Sequence, residues 1–364
     1  MERMFDEYQS CREIHSTVDT PNNRHSRFWR VLLSHAKWSF LVSFPFTSLL
    51  IGGSYTRSTF VEMSRGARMS LAFVAMIYTL HFMMSHGRPH LDEVFVRFTE
   101  IGKRMAPDSI ARKRRQLEDT ADFINLCLRT GKWWSTANVA TIAVPFMFSQ
   151  EELDLKLAPW PPGKEWVVIG WIVQMCVAYP FAYPTCHFFF MYVILNKIQV
   201  VLQDVIADQA AAADTPEKLR EVAIVDVKLA HVSANLRSLM QTFTLIMMLM
   251  LVVPTVTMLM IILQGYFDLF SVTGAPYVVT FVVLCYQGQG LSDACVRISD
   301  ELYGGHWQEV LDKGYRSNVK IMQIRRGRPL VLTAGAGVGA LNLHVCKETM
   351  KSWYQLLQLL LKLF

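Results

Sequence analysis

Charge is scarce in this chain. Asp, Glu, Lys and Arg make up 18% of its 364 residues, against about a quarter in an average soluble domain. Hydrophobic residues make up 52% and the mean hydropathy is +0.25. For a chain of this length, that balance excludes an ordinary soluble domain and points to several membrane spans. The seven cysteines, at 11, 127, 176, 186, 285, 295 and 346, form no Cys-x-x-Cys pair, which removes the usual zinc and dithiol motifs. Several lie in apolar runs, where a reduced thiol packs as a small core residue. There is no Asn-x-Ser/Thr sequon, repeat or low-complexity tract. No cleavable signal peptide is expected, because residues 1–30 are polar and the first apolar run begins near Trp38. The net charge of +6 is modest. The basic groups sit beside apolar runs, so they read as topology signals and exclude a nucleic-acid footprint.

What is present is a series of seven apolar stretches, at about 38–51, 69–84, 133–148, 166–195, 243–263, 277–291 and 341–364. Prolines 45, 180 and 184 fall inside them and are tolerable in membrane helices. Before the first lies a basic-aromatic patch, Arg24, His25, Arg27, Phe28, Trp29 and Arg30, suited to a helix on the membrane surface. Between the second and third, Arg112-Lys113-Arg114-Arg115 sits among amphipathic runs (Leu91, Val94, Phe95, Phe98, Ile101; then Phe123, Ile124, Leu126, Leu128). These predict helices that continue beyond the bilayer. Residues 196–241 read as two amphipathic helices around an alanine turn at 210–213. Loops after spans two, four and six carry most of the Lys and Arg, while the loop after span three is acidic and proline-rich. The positive-inside rule therefore puts the even loops in the cytoplasm. The expected fold is an all-α membrane protein of seven transmembrane helices, N-terminus cytoplasmic and C-terminus extracellular. It divides into a cytoplasmic region 1–36, a bundle 37–291 of spans one to six, a cytoplasmic region 292–335 and a last span 336–364.

Several patterns resemble catalytic motifs without their context. Gly335-Ala336-Gly337-Val338-Gly339-Ala340 follows Leu330-Val331-Leu332 but opens no βαβ unit, so the glycines read as a bend before the last span. Histidines 81, 86 and 90 lack the clustered spacing of membrane hydroxylases, and His187 is isolated in a span. No Ser/His/Asp arrangement can be argued. The expectation is neither an enzyme nor a metal or cofactor protein.

The last span invites two readings. Lys347, Glu348, Lys351, Gln355, Gln358 and Lys362 interrupt a leucine-rich run. Either the polar part lines a pore, or this is a packed last helix whose Lys and Glu snorkel to the interface. Aromatic, methionine and other residues in the outer half of the spans also carry two readings, helix packing or a pocket for a small lipophilic ligand. They are Phe73, Ile77, Ile142, Phe146, Trp171, Met175, Tyr179, Tyr277, Thr280 and Phe281.

The run Cys285-Tyr286-Gln287-Gly288-Gln289, then Ser299-Asp300-Glu301-Leu302-Tyr303 and Trp307, then Arg328-Pro329-Leu330-Val331-Leu332-Thr333-Ala334-Gly335 resembles the C-terminal third of insect odorant receptors. The resemblance implies the inverted seven-span topology and a ligand-gated, poorly selective cation channel. It implies a tuning subunit in a heterotetramer with the odorant receptor co-receptor, in the plasma membrane of a sensory neuron. Small volatile odorants, membrane lipids and permeating cations are the other implied partners, with no nucleic acid. The odorant is expected in the outer half of the bundle, with subunits joined through the cytoplasmic helices. Each subunit is expected to give its last span to the pore, with Tyr354 matching a family tyrosine, Leu357 and Leu361 forming the gate and Gln358 between them.

The chain departs from the family pattern in Ala336-Gly337-Val338-Gly339, where bulky residues are common, and in Trp353, where a small residue or Thr is usual. It lacks the co-receptor's long insertion between spans four and five. It also lacks the Thr-Tyr-x-x-x-x-x-Gln-Phe ending of gustatory receptors, the related channel alternative. The rival from another class is a seven-span G-protein-coupled or transporter-like protein without a pore. Neither Asp-Arg-Tyr after the third span nor Asn-Pro-x-x-Tyr in the last is present to favour a G-protein-coupled receptor.

Overall fold

The computed structural model describes residues 3–6, 88–143, 189–263, 275–305, 312–328, 330–333 and 339–363. These residues are helical apart from short turns and one isolated antiparallel bridge, Thr333 to Ala340. The helices are α1 (Arg88–Lys103), α2 (Pro107–Arg112) and α3 (Arg114–Ala143). Then come α4 (Phe189–Ala211) and α5 (Pro216–Leu263). The last three are α6 (Ala275–Gly304), α7 (Lys313–Arg326) and α8 (Leu343–Leu363).

Local sequence explains the starts and faces of these helices. α2 begins with Pro107 after an extended Ala106, where the missing proline N–H costs nothing. Asp312 caps α7 by accepting from the Tyr315 amide at 2.6 Å. On α1, Leu91, Val94, Phe95, Phe98 and Ile101 are all buried, the helical stripe expected from their spacing. On α3, Ile124 is buried as expected but Leu126 is 61% exposed; it lies about 200° around the helix from Ile124, so the two cannot share a face.

Length bears on the membrane reading. α5 has 48 residues, so it extends about 70 Å, more than twice the ~30 Å hydrocarbon thickness. It carries the expected cytoplasmic segment and the apolar run 243–263 in one unbroken helix. α3 likewise joins the polar stretch to the apolar residues after Trp133.

α4 lies at the centre. It is the one helix among the described residues long and apolar enough to cross a membrane by composition, and it is mostly buried by the rest of the chain. The amphipathic face expected after Asn196 is absent, because Asn196, Gln199, Gln203 and Asp204 are buried along with the aliphatic residues between them. Asp204 is held from two sides, by the Gln116 amide of α3 and by Arg297 of α6 at 3.1 Å. Around α4, α1 packs on α5, while α6 packs on α5, α7 and α8. Residues 3–6 dock onto the same core. Phe5 meets Phe95 edge to face, with centroids 5.8 Å apart, and Arg3 pairs with Asp122 at 3.0 Å.

At its far end α4 is joined to α2 by Asp208, which accepts from Arg112 Nε at 2.9 Å. Partial burial pushes the Asp208 carboxyl upward. The hydrogen bonds and charges of Arg112, with Ser109 and Lys113, outweigh that and hold it below its ordinary value. A depressed carboxyl adds stability above the ordinary carboxylate range, near pH 4, and loses it as pH falls through its own lower value. Thermal midpoints of the purified protein are therefore expected to fall on acidification, and Asp208→Asn to show a smaller fall over that window. Equal acid sensitivity of the two would count against this contact.

Candidate functional site

The helix that begins at Leu343 has two unlike sides. Cys346 is buried, and Thr349, Met350, Trp353 and Leu356 are partly buried. Trp353 faces the fully buried Phe281 of α6, with ring centroids 6.0 Å apart and planes at 40°. Lys347, Lys351, Tyr354, Gln355, Gln358 and Lys362 are exposed, and Tyr354 is 62% so. Tyr354 and Gln358 are four positions apart and share one stripe on the free side. Leu357 and Leu361 belong to the same helix.

At the root of α8 two short arms of chain pair with each other. The Leu341 amide donates to the Leu332 carbonyl at 2.7 Å, and Thr333 bridges to Ala340. Asn342 then caps α8, its Oδ1 accepting from the Val345 amide at 2.8 Å. Helix α5 holds the first arm by side chains. Gln241 Nε2 donates to Thr333 Oγ1 at 3.2 Å, and Arg237 donates to the Val331 carbonyl at 3.4 Å. Helix α6 confines the second arm by its backbone. A Cβ on Gly288 would stand 2.0 Å from the Leu341 carbonyl oxygen, so no side chain fits there. This gives the Gly288 and Leu332-Thr333 motif residues a shared physical role.

Below the paired arms, α7 is clamped to α5 and α6. Arg326 is buried and donates to the Asp226 carboxylate and to the Asp226 carbonyl at 3.3 Å. Its other terminal nitrogen donates to Cys295 Sγ at 3.5 Å. Arg325 lies 4.0 Å from the second Asp226 oxygen, too far for a hydrogen bond. Burial works against the Arg326 charge, but the Asp226 charge and the hydrogen bonds to Asp226 and Cys295 raise its pKa further above the ordinary arginine value. The Ser299 hydroxyl adds a longer bond to the Gln323 carbonyl at 3.4 Å.

The residues expected to form a pocket are only partly placed. Phe73, Ile77, Phe146, Trp171, Met175 and Tyr179 lie outside the described residues. Ile142 belongs to α3 and Tyr277 to α6. Thr280 is half-buried one position before Phe281. Among the described residues, the structure joins Phe281 to Trp353 of the last helix. Among the described residues, no group of three or more His, Cys, Asp or Glu side chains could hold a metal ion, and His90 instead lies 3.7 Å from Glu93. Sequence reasoning missed the Arg326–Asp226–Cys295 clamp. Its members are up to 100 positions apart, and Arg326 read as one basic group among several.

Removing one partner from a buried ion pair costs about 3–5 kcal/mol, because the other charge is stranded. Arg326→Met is expected to lower thermal stability on that scale. The double change Arg326→Met with Asp226→Leu should recover most of the loss, since it leaves no buried charge. Thermal unfolding in lipid nanodiscs reads both, and a double variant as weak as the single one would show that the pair is not the source of the effect.

A family model described as "7tm Odorant receptor" matches residues 59–354. Two solved structures of the insect olfactory receptor OR5 from Machilis hrabei share the fold at 12% identity, covering 95% of this chain and 92% of theirs. The TM-score is 0.76 for one and 0.77 for the other, which is in complex with eugenol. A sequence search among curated proteins finds no match. With the family model spanning most of its length and the helical fold matched nearly end to end, the chain belongs to the 7tm odorant receptor family and is a membrane protein.

Proposed function

We propose that this chain is the ligand-binding subunit of an odorant-gated, non-selective cation channel, assembled with a co-receptor subunit in the plasma membrane of a sensory neuron. The observation that carries the reading is the two-sided α8. One side packs on α6 through Trp353, and the other leaves Tyr354, Gln355 and Gln358 exposed. A helix of this kind at a membrane-protein surface needs a polar or aqueous partner for its free side, and a central pore shared by several subunits supplies one. The similar receptor solved with eugenol supports a small aromatic or otherwise lipophilic volatile as ligand.

In this reading the N-terminus is cytoplasmic and the C-terminus extracellular. The ligand occupies an apolar pocket in the outer half of the bundle, formed from Phe73, Ile77, Ile142, Phe146, Trp171, Met175, Tyr179, Tyr277, Thr280 and Phe281. Its binding favours an arrangement in which α8 moves outward. Leu357 and Leu361 form an apolar constriction that is dry when closed and hydrated when open. Gln358 and Tyr354 line the same path, and the hydroxyls of Tyr179 and Thr280 orient the ligand.

The decisive experiment is co-expression with and without the co-receptor, recording whole-cell current under aromatic, alcohol and ester volatiles, eugenol among them. A cation current that requires both chains is expected. A second-messenger response without current would favour the receptor rival instead. Within the assembled channel, Leu361→Ala should raise the ligand-free leak. Leu357→Ala should raise it as well. Unchanged leak in both would remove them from the gate.

A further inference from the structure

We propose that Gln241 and Arg237 of α5 form a releasable catch on the root of α8, holding the last helix in its resting arrangement until α5 moves. The inference rests on the channel reading above and adds to it the residues that transmit the motion.

Gln241 and Arg237 are four positions apart and so lie on one face of α5. Both reach the same short arm, at the Thr333 hydroxyl and the Val331 carbonyl. That arm pairs directly with the second one, through Leu332 with Leu341 and Thr333 with Ala340. The second arm ends at Asn342, which caps α8. Between the catch and the first turn of α8 there is thus one paired strand step and one cap. Such a path carries a displacement of α5 to α8 without any long side-chain relay.

The surroundings fix the direction in which the root can give. On the α6 side Leu341 lies so close to Gly288 that not even a methyl group fits between them. Below, the buried Arg326 is tied to Asp226 and Cys295 at once, and stranding either charge is costly. The catch is different in kind. It consists of two single bonds, 3.2 and 3.4 Å long and only partly buried, each worth little net against water. When α5 shifts, the catch parts first while the clamp holds, so the clamp acts as the pivot. The same unbroken helix continues to Leu263 through the apolar run expected in the ligand-bearing bundle. Gln241 and Arg237 are accordingly positioning residues, which touch neither ligand nor permeating ion.

The test uses the full chain co-expressed with its co-receptor. The first readout needs no ligand: the holding current removed when external cations are replaced by N-methyl-D-glucamine, normalised to surface-labelled protein. The second is the concentration response to eugenol. Gln241→Leu and Thr333→Val are each expected to raise the ligand-free current by about threefold or more, the scale set by one lost hydrogen bond. Both should also shift the eugenol response to lower concentration. The double variant should do no more than the stronger single one, because both remove the same bond. Thr333→Ser, which keeps the hydroxyl, should match the wild type. Should Gln241→Leu fail to reach the surface, Gln241→Asn, which keeps the amide but shortens its reach, carries the same expectation. Unchanged ligand-free current at equal surface density, or a double variant equal to the product of the singles, overturns the catch. A wild-type complex that passes no cation current with any volatile overturns the channel reading, and the catch with it. Wild-type current with inert variants overturns the catch alone.

Discussion

The buried pair of Arg326 and Asp226 is the constraint on which the lower part of this molecule depends. Two opposite charges removed from water are tolerable only when they are closely paired. Here the two terminal guanidinium nitrogens are answered by a carboxylate and a carbonyl from α5 and by a thiol from α6, while Arg326 Nε and the second Asp226 oxygen keep no hydrogen-bond partner. Those three contacts locate the end of α7 relative to two long helices at once. The described residues that follow Arg326 start from a fixed point, so the paired arms 332–333 and 340–341 and the cap at Asn342 inherit a defined position. A wholly apolar contact would bury as much surface but would allow α7 to slide, because dispersion and the hydrophobic effect carry little direction.

The centre of the fold raises the opposite problem. α4 carries Tyr192, Asn196, Gln199 and Gln203 at spacings of four, three and four, so they form one stripe. Among the described residues, the amide nitrogens of Asn196 and Gln199 and both amide atoms of Gln203 are buried without hydrogen-bond partners, while the Tyr192 hydroxyl is set against Asn196 and Thr244. Each such group costs about 1–3 kcal/mol if nothing answers it, and four together would approach the net stability of a typical domain. Asp204, next in sequence to Gln203 but on another side of the helix, is fully engaged by Gln116 and Arg297. The helix is therefore tied firmly along one side and loosely along the other. In a family whose members respond to ligands, that asymmetry leaves one side of the central helix free to change neighbours at small cost, while Asp204 and Asp208 keep its axis in place.

Some of this was legible in the sequence and some was not, for physical reasons. The stripe on α1 follows from local spacing and appears where periodicity put it, while the turn expected at alanines 210–213 falls at 212–215, because Ala210 and Ala211 remain in α4. The length of α5 was only half legible, because its polar first half and apolar second half read as separate elements when hydropathy alone is followed. The burial of residues 196–204 was misread, since polar side chains at helical spacing look like a solvated face unless their partners on α3 and α6 are known. The pairing of residues 332–333 with 340–341 was not foreseen, the sequence there reading only as a glycine bend. That pairing is set by Gln241, Arg237 and Gly288, nearly a hundred or about fifty positions away, and no local pattern encodes that.

Trp353 shows how a departure from a family pattern becomes intelligible once the packing is known. In sequence it stands as an oversized residue in the last span. In the structure its ring lies against Phe281, the one expected pocket residue whose neighbour on α8 is defined. An aromatic pair of this kind is worth about 0.5–1.5 kcal/mol beyond the area it buries, and that is close to the 1–3 kcal/mol by which one site typically influences another. A ligand that displaced or tilted the Phe281 ring would thus change the seat of α8 by an amount large enough to matter and small enough to be reversible. The Phe281 contact thus holds α8 part-way along its length, apart from the cap at Asn342 that holds its first turn.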